Sequence, residues 1–537
     1  MTIARWIIHV LGIAVMILAG PVACGKRTNN EEEFLRIAVA DATKSQSFGK
    51  NSAHQILTHA LHRTLIRLDL RNETVPDLAS NWSVRDDGMS ILFRIRRLNW
   101  ENGKQVKADD VVRSFRSAVR NRKVALPDIF IDALKNARLV RNRRLHPQRL
   151  GVHALTTHVV EFRLNYPLPS FLRLLALPQL AITPTRRQAR NKSGTGTAGL
   201  GPYIRKKMET VEDVEAGLLL TVRENYVGRH PKSPKDIILF DGLDPITAVS
   251  RFQDGELDLV MGYGLLGLQT ALVLAATPNL QISRGEGSYG IAINFRQVKD
   301  GKIRKLLRLA IDQHQLSQAL LGPWEITRSI TLANKNLVPE GVEEYQRLKL
   351  QDNPISSSNS QEKLDFVKKR LNFLGYNQET PLVLTIAIPE GSEFRTITKA
   401  LKKNLEGLPI TLKARVITKG RSSRHAYRRD HLILVYNPGP RDAPEHYLEP
   451  LICKGFVAAI TGHCDREVQK LYKDALKLSQ IPDRNEILAQ VEARLLQDNM
   501  FIPILVSPSW ALVSEQLQPL QIDRNPVPSI DTLRYAK

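Results

Sequence analysis

At 537 residues the chain is too long for one small hydrophobic core, so two or three lobes are expected. With 42% hydrophobic and 24% charged residues it has the composition of an ordinary soluble globular protein. Lys and Arg number 77 against 54 Asp and Glu, and the net charge of +23 favours anionic surfaces or ligands without specifying a fold. No zinc-finger spacing, RNA-binding aromatic motif or helix-turn-helix signal accompanies that charge, which speaks against nucleic acid.

The first 23 residues read as a signal peptide. Arg5 precedes Trp6–Ala19, an apolar stretch too short, and too interrupted at Gly12, for a membrane span. Val22-Ala23-Cys24 then resembles a bacterial lipoprotein cleavage site, at which Cys24 becomes the lipidated first residue of the mature chain. Pro21 departs from that pattern, and ordinary signal-peptide cleavage with an incidental Cys24 is the alternative. Residues 24–33 are polar and read as a tether.

Phe34–Ala40 is the first mature strand, and Ser52–Leu68 is expected to be helical. The stretch from Pro76 to Phe115 carries the densest signals. Asn81-Trp82-Ser83-Val84 has strand character, Asp86-Asp87-Gly88 supplies a turn, and Ile91–Arg96 returns as a second strand. Glu101-Asn102-Gly103-Lys104 is another reversal. A helix then opens at Lys107–Val112, with Asp109 and Asp110 suited to the positive end of its dipole.

Further on, Arg138–Arg149, Arg186–Lys192 and Lys419–Arg429 concentrate basic residues and read as solvated loops. Val159–Leu164 alternates as a strand, and Pro167–Leu177 reads as a helix. Gly194–Gly199 spells GxGxxG, yet no buried strand leads into it and Gly201-Pro202-Tyr203 follows where a helix should start. Lys363–Gly375 is a helix with Gly375 as its C-cap, Leu382–Pro389 and Ile410–Ile417 are strands, and Gln469–Asn499 is helical. Beyond Cys24 only Cys453 and Cys464 remain, and in an exported chain their spacing allows a disulfide. His463 invites a zinc reading, but one His and two Cys make no recognised ligand spacing.

Leu78, Ala79, Trp82, Asp87, Gly88, Phe93, Arg96, Trp100, Gly103, Val106, Ala108, Asp109, Asp110, Val111, Ser114 and Phe115 stand in one unbroken order. That order resembles the signature of the family 5 solute-binding proteins of ABC importers, the extracytoplasmic receptors for peptides, nickel chelates and related solutes. Later stretches are similar as well, among them Gly199–Tyr203, Phe252–Val260, Ser288–Phe295, Ile303–Asp312 and Met500–Ile504. The resemblance implies an α/β, two-lobed periplasmic-binding-protein fold of the large peptide-binder type with an inserted subdomain. Lobe I is expected from residues 34–51, 190–283 and 502–537, the inserted subdomain from 52–189, and lobe II from 284–501.

The same resemblance implies a monomeric lipid-tethered receptor that hands an oligopeptide-like solute to separate permease and ATPase subunits. A non-peptide solute such as a nickel chelate, or an enzyme or regulator on the same fold, is the alternative. No cofactor is expected. The chain holds no G-x-S-x-G, H-E-x-x-H or P-loop, and Asp86-Asp87 and Asp109-Asp110 have local turn and helix-start roles. Positions implied to face the cleft include Ala40, Asp41, Asn294, Phe295 and Trp510. In the family's peptide binders an Asp four residues before a Pro grips the ligand's ammonium. Here the corresponding stretch is Tyr436-Asn437-Pro438-Gly439-Pro440-Arg441-Asp442-Ala443-Pro444, and Pro440 occupies the acid's place. Tyr436 stands for the aromatic of that segment and Gly439 lies in its loop. Either Asp442 or Asn437 replaces the anchor, or the anchor is lost.

Overall fold

Two runs, Leu280–Ile293 and the β-branched- and aromatic-rich Phe501–Val513, form strands of 14 and 13 residues that pass through the middle of the main sheet. The structure is a computed structural model that describes residues 34–39, 52–69, 73–100, 103–185, 199–206, 217–224, 226, 230–262, 265–274, 278–320, 325–326, 330, 360–418, 424–437, 443–520, 522 and 530–536. The signal segment, Cys24 and the tether lie outside the described residues, as does most of the GxGxxG stretch. No helix among the described residues is long and apolar enough to cross a membrane.

In chain order the strands are β1 (Phe34–Val39), β2 (Ile66–Leu68), β3 (Thr74–Pro76), β4 (Ala79–Arg85), β5 (Ser90–Ile95), β6 (Val152–Thr156), β7 (Val159–Arg163), β8 (Tyr203–Lys206) and β9 (Leu218–Val222). They continue as β10 (Asp236–Asp241), β11 (Leu259–Met261), β12 (Leu280–Ile293), β13 (Glu325–Ile326), β14 (Leu382–Pro389), β15 (Ile410–Ile417), β16 (Leu432–Asn437) and β17 (Phe501–Val513). The described strands build an 11-stranded sheet in the order β15-β14-β16-β12-β17-β11-β1-β10-β9-β8, with β13 added on β17. A 4-stranded sheet, β4-β5-β7-β6, stands apart from it.

The small sheet explains the signature stretch. Phe93 packs edge-on to Phe162 at 5.4 Å, and Phe115 meets the same ring at 4.8 Å from the helix α2 (Ala108–Arg120). Trp100 is buried and donates to the Asp110 carboxylate at 3.3 Å. That carboxylate also accepts the Lys107 backbone N–H at 3.1 Å, closing the start of α2. Asp87 and Gly88 both adopt positive φ, 50° and 90°, and a Cβ on Gly88 would meet Pro167 Cβ at 2.8 Å. Buried Arg63 bonds Asp77 at 2.8 Å and the Leu200 carbonyl at 3.0 Å, tying the sheet's edge to returning chain. The recognisable signature is therefore a core, built from residues between Leu65 and Leu200.

Several boundaries differ from the expectation. The helix α1 (Ser52–Leu61) stops before Leu68, and its Ile56 and Ala60 join the core of Leu35, Ile37 and Tyr203 rather than that of the small sheet. Only Phe171–Leu174 of the Pro167–Leu177 stretch is α-helical. The helix expected over Gln469–Asn499 is two, Arg466–Ala475 and Ile481–Gln497, because Pro482 sits in the first turn of the second and cannot continue the first. Phe501–Val506 pair with the part of β12 that borders β16.

Candidate functional site at the strand crossing

Strand direction points to a candidate site. On one side β1 runs parallel to β10 and β11, and on the other β16 runs parallel to β14, which is parallel to β15. The two sets are opposed, because β11 is antiparallel to β17, β17 to β12, and β12 to β16. Register shows where their carboxyl ends arrive. Met261 of β11 pairs with Ala511, while Asn437 of β16 pairs with Ser288, which in turn pairs with Val506. Both ends thus converge on a short segment, Arg284–Ser288 against Val506–Trp510. Open α/β sheets bind ligands beyond the carboxyl ends of their strands, where the direction of winding switches.

The crossing is irregular where the two sets meet. Between the Arg284–Pro508 and Ser288–Val506 pairs the register shifts, leaving Gly285-Glu286-Gly287 bulged opposite Ser507. Glycine is required by close approach. A Cβ on Gly287 would sit 2.5 Å from Tyr436 Cε2, and one on Gly285 would meet the Ser507 carbonyl at 2.5 Å. Beside the bulge Tyr289 pairs with Tyr436 across the strands, their rings 4.9 Å apart, and Phe394 packs edge-on to Tyr289 at 5.7 Å. Phe394 lies just past the carboxyl end of β14, near the start of the helix Ser392–Asn404. On the opposite side Trp510 is mostly buried and its indole N–H donates to the Leu266 carbonyl at 2.8 Å.

Of the expected site residues, Tyr436, Asn437 and Trp510 are brought to this crossing. The Asn437 amide donates to the Tyr447 carbonyl at 3.2 Å. Ala40, Asp41, Gly439 and Asp442 lie outside the described residues, although they follow the carboxyl ends of β1 and β16 in sequence. Asn294 and Phe295 are both engaged in packing. Asn294 is fully buried, and its side-chain amide donates to the carbonyls of Asp430 at 2.8 Å and Arg428 at 3.0 Å. Phe295 lies between the His463 ring, 4.8 Å away, and the Arg304 guanidinium, 4.0 Å from its centroid. The residues that sequence reasoning missed are Tyr289, Phe394, Gly285 and Gly287. Glycines inside an otherwise regular strand were the available signal, since they mark a bulge or a close approach.

Cys453 and Cys464 are joined as a disulfide, with Cα atoms 4.7 Å apart. His463 beside them pairs with Asp498 at 2.8 Å. Among the described residues no group of His, Cys, Asp and Glu could hold a metal ion. Burial pushes the hydroxyls of Tyr472 and Tyr166 well up.

Comparison with known proteins agrees with this architecture. The chain is 24% identical over 373 residues to the periplasmic murein peptide-binding protein MppA of Escherichia coli, a match covering 66% of this chain and 65% of that protein. It is 25% identical over 297 residues to the nickel-binding periplasmic protein of the same organism, covering 52% of each. The fold superposes on Haemophilus influenzae OppA in complex with the peptide RPPGFSPFR with a TM-score of 0.72 at 18% identity, covering 95% of this chain and all of that one. The family description "Bacterial extracellular solute-binding proteins, family 5 Middle" matches residues 73–452. The chain belongs to the family 5 bacterial extracellular solute-binding proteins.

Proposed function

We propose that this protein is the extracytoplasmic receptor of an ABC importer, binding an oligopeptide-like solute at the strand crossing and delivering it to a separate permease. The observation that carries this reading is the convergence of both sets of carboxyl ends on the bulged Arg284–Ser288 segment. Two lobes linked by long strands can close over a solute. Tyr289, Tyr436, Phe394 and Trp510 supply apolar walls, and strand ends supply backbone donors and acceptors. The MppA and OppA relatives, named for murein peptides and oligopeptides, support a peptide. The net charge of +23 favours an acidic one, including a cell-wall type of peptide. Tethering through lipidated Cys24 and action as a monomer complete the proposal.

Pro440 in the place of the anchoring acid favours a receptor that does not require a free ammonium. Calorimetry with paired free and N-acetylated peptides tests this, and both members of a pair are expected to bind alike. A strong preference for the free amine, weakened by roughly 2–5 kcal/mol in Asp442→Asn, would instead show that Asp442 is the anchor. No binding of either member would count against a peptide receptor.

A further inference from the structure

The basic run Arg138–Arg149 does not fold as a uniformly solvated loop, and arginines from it and from α2 and the turn after α2 fall into two groups. One group is engaged internally. Arg138 pairs with Asp128 at 2.9 Å and with Asp132. Arg141 donates to the carbonyls of Val124 at 2.8 Å and Val119 at 3.3 Å, holding the chain that leaves α2. Arg122 in turn holds the Arg141 carbonyl at 3.1 Å and Asn142 Oδ1 at 3.3 Å.

The other group faces one concavity. Arg116 and Arg120 lie four residues apart on α2, so they share a face, and with Arg143 and Pro147 they line a pocket of about 450 Å³. An adjoining recess of about 270 Å³ shares Arg120, Arg143 and Pro147 and adds Arg144 and His146. Neither is lined by a carboxylate, and among the described residues none of these arginines makes an ion pair. The Arg116 Nε is buried without a hydrogen-bond partner, while its Nη2 only reaches the Gln148 carbonyl at 3.4 Å. Arg143 is held at a φ of 58°, with its N–H on the Val140 carbonyl at 3.0 Å, and the Arg144 N–H bonds Leu139 at 2.9 Å. The turn therefore fixes where these side chains leave the backbone.

Like charges gathered in a partly apolar concavity repel one another, and a multiply charged anion relieves that repulsion. Guanidinium forks match the oxygens of a phosphoryl group, which can take several of them at once. We propose that Arg116, Arg120, Arg143 and Arg144 form a binding site for a phosphoryl group with more than one negative charge, separate from the solute cleft. A soluble phosphate ester and a lipid headgroup share that chemistry.

The test uses the full chain with two probes, inorganic pyrophosphate by calorimetry and co-sedimentation with vesicles of equimolar phosphatidylcholine and phosphatidic acid. Arg120→Ala with Arg143→Ala is compared with Lys368→Ala with Lys402→Ala, exposed lysines elsewhere whose loss changes net charge equally. Saturable binding that weakens about tenfold or more in the arginine variant, and not in the lysine variant, is expected. Pyrophosphate binding identifies a soluble ligand, and binding to the vesicles alone identifies a headgroup. The proposal is overturned if neither probe binds saturably, or if both variants weaken binding equally.

Discussion

The Arg484 guanidinium and the Glu445 carboxylate lie 3.5 Å apart with only 2% and 4% of their side chains exposed. They join parts of the chain that are remote in sequence. Ser170 donates to Glu445 at 2.7 Å, and Arg484 reaches the Pro167 carbonyl at 3.5 Å, so the pair fastens the core that carries the signature stretch to the helix Ile481–Gln497. Removing one partner leaves the other charged and buried. Arg484→Ala is expected to destabilise the protein by about 3–5 kcal/mol, whereas Arg484→Met combined with Glu445→Leu recovers much of that loss. Urea unfolding of the variants checks both statements.

The signature stretch is expected to matter for folding and not for solute affinity. Phe93 is fully buried between Trp82 and Phe162. Phe93→Ala should cost about 3–5 kcal/mol in urea unfolding. The folded fraction should titrate with solute as the unaltered protein does. A changed affinity at full folding would place the signature in the binding machinery.

This separation explains what was legible in the sequence. Strands β14 and β15 match the bounds expected from sequence because Leu382–Pro389 is a mostly apolar run and Ile410–Ile417 largely alternates apolar with polar residues. The order from Leu78 to Phe115 was legible because a close-packed core with tight turns restricts its residues strongly. The strand crossing was harder to read. Its parts come from β11, β12, β16 and β17, and only pairing registers bring Met261, Ser288, Tyr436 and Trp510 together. Asn294 looked polar and available, but nothing local in sequence shows that the carbonyls of Arg428 and Asp430 occupy its amide.

Reduction of the Cys453–Cys464 bridge closes off one source of stability. For a sequence separation of 11 the chain-entropy estimate is roughly 3 kcal/mol, seen as a lower unfolding midpoint in reductant. Non-reducing peptide mapping of protein from the cell envelope should recover the linked pair, and two alkylatable thiols there would contradict the bridge.

Acid should weaken the protein through His431. Its Nδ1 accepts the Thr385 backbone N–H at 3.1 Å, which requires that nitrogen unprotonated. Burial lowers the His431 pKa, with Asp430 opposing the shift. The folded state therefore takes up its proton later than the unfolded state. The contribution is complete above the ordinary histidine pKa of about 6.5 and is lost as pH falls through the lowered folded value. His431→Asn keeps an acceptor and removes the titration, so its unfolding free energy should fall less between neutral and mildly acidic pH. An unchanged pH dependence would exclude His431 as the source.

Native mass spectrometry of freshly purified protein tests most directly whether a solute is held at the strand crossing. The unaltered chain is expected to carry a non-covalent solute, released on collisional activation, and Tyr436→Ala should carry markedly less. Absence of any adduct after incubation with a peptide mixture, or equal occupancy in both proteins, would contradict binding at the Tyr289–Tyr436 wall.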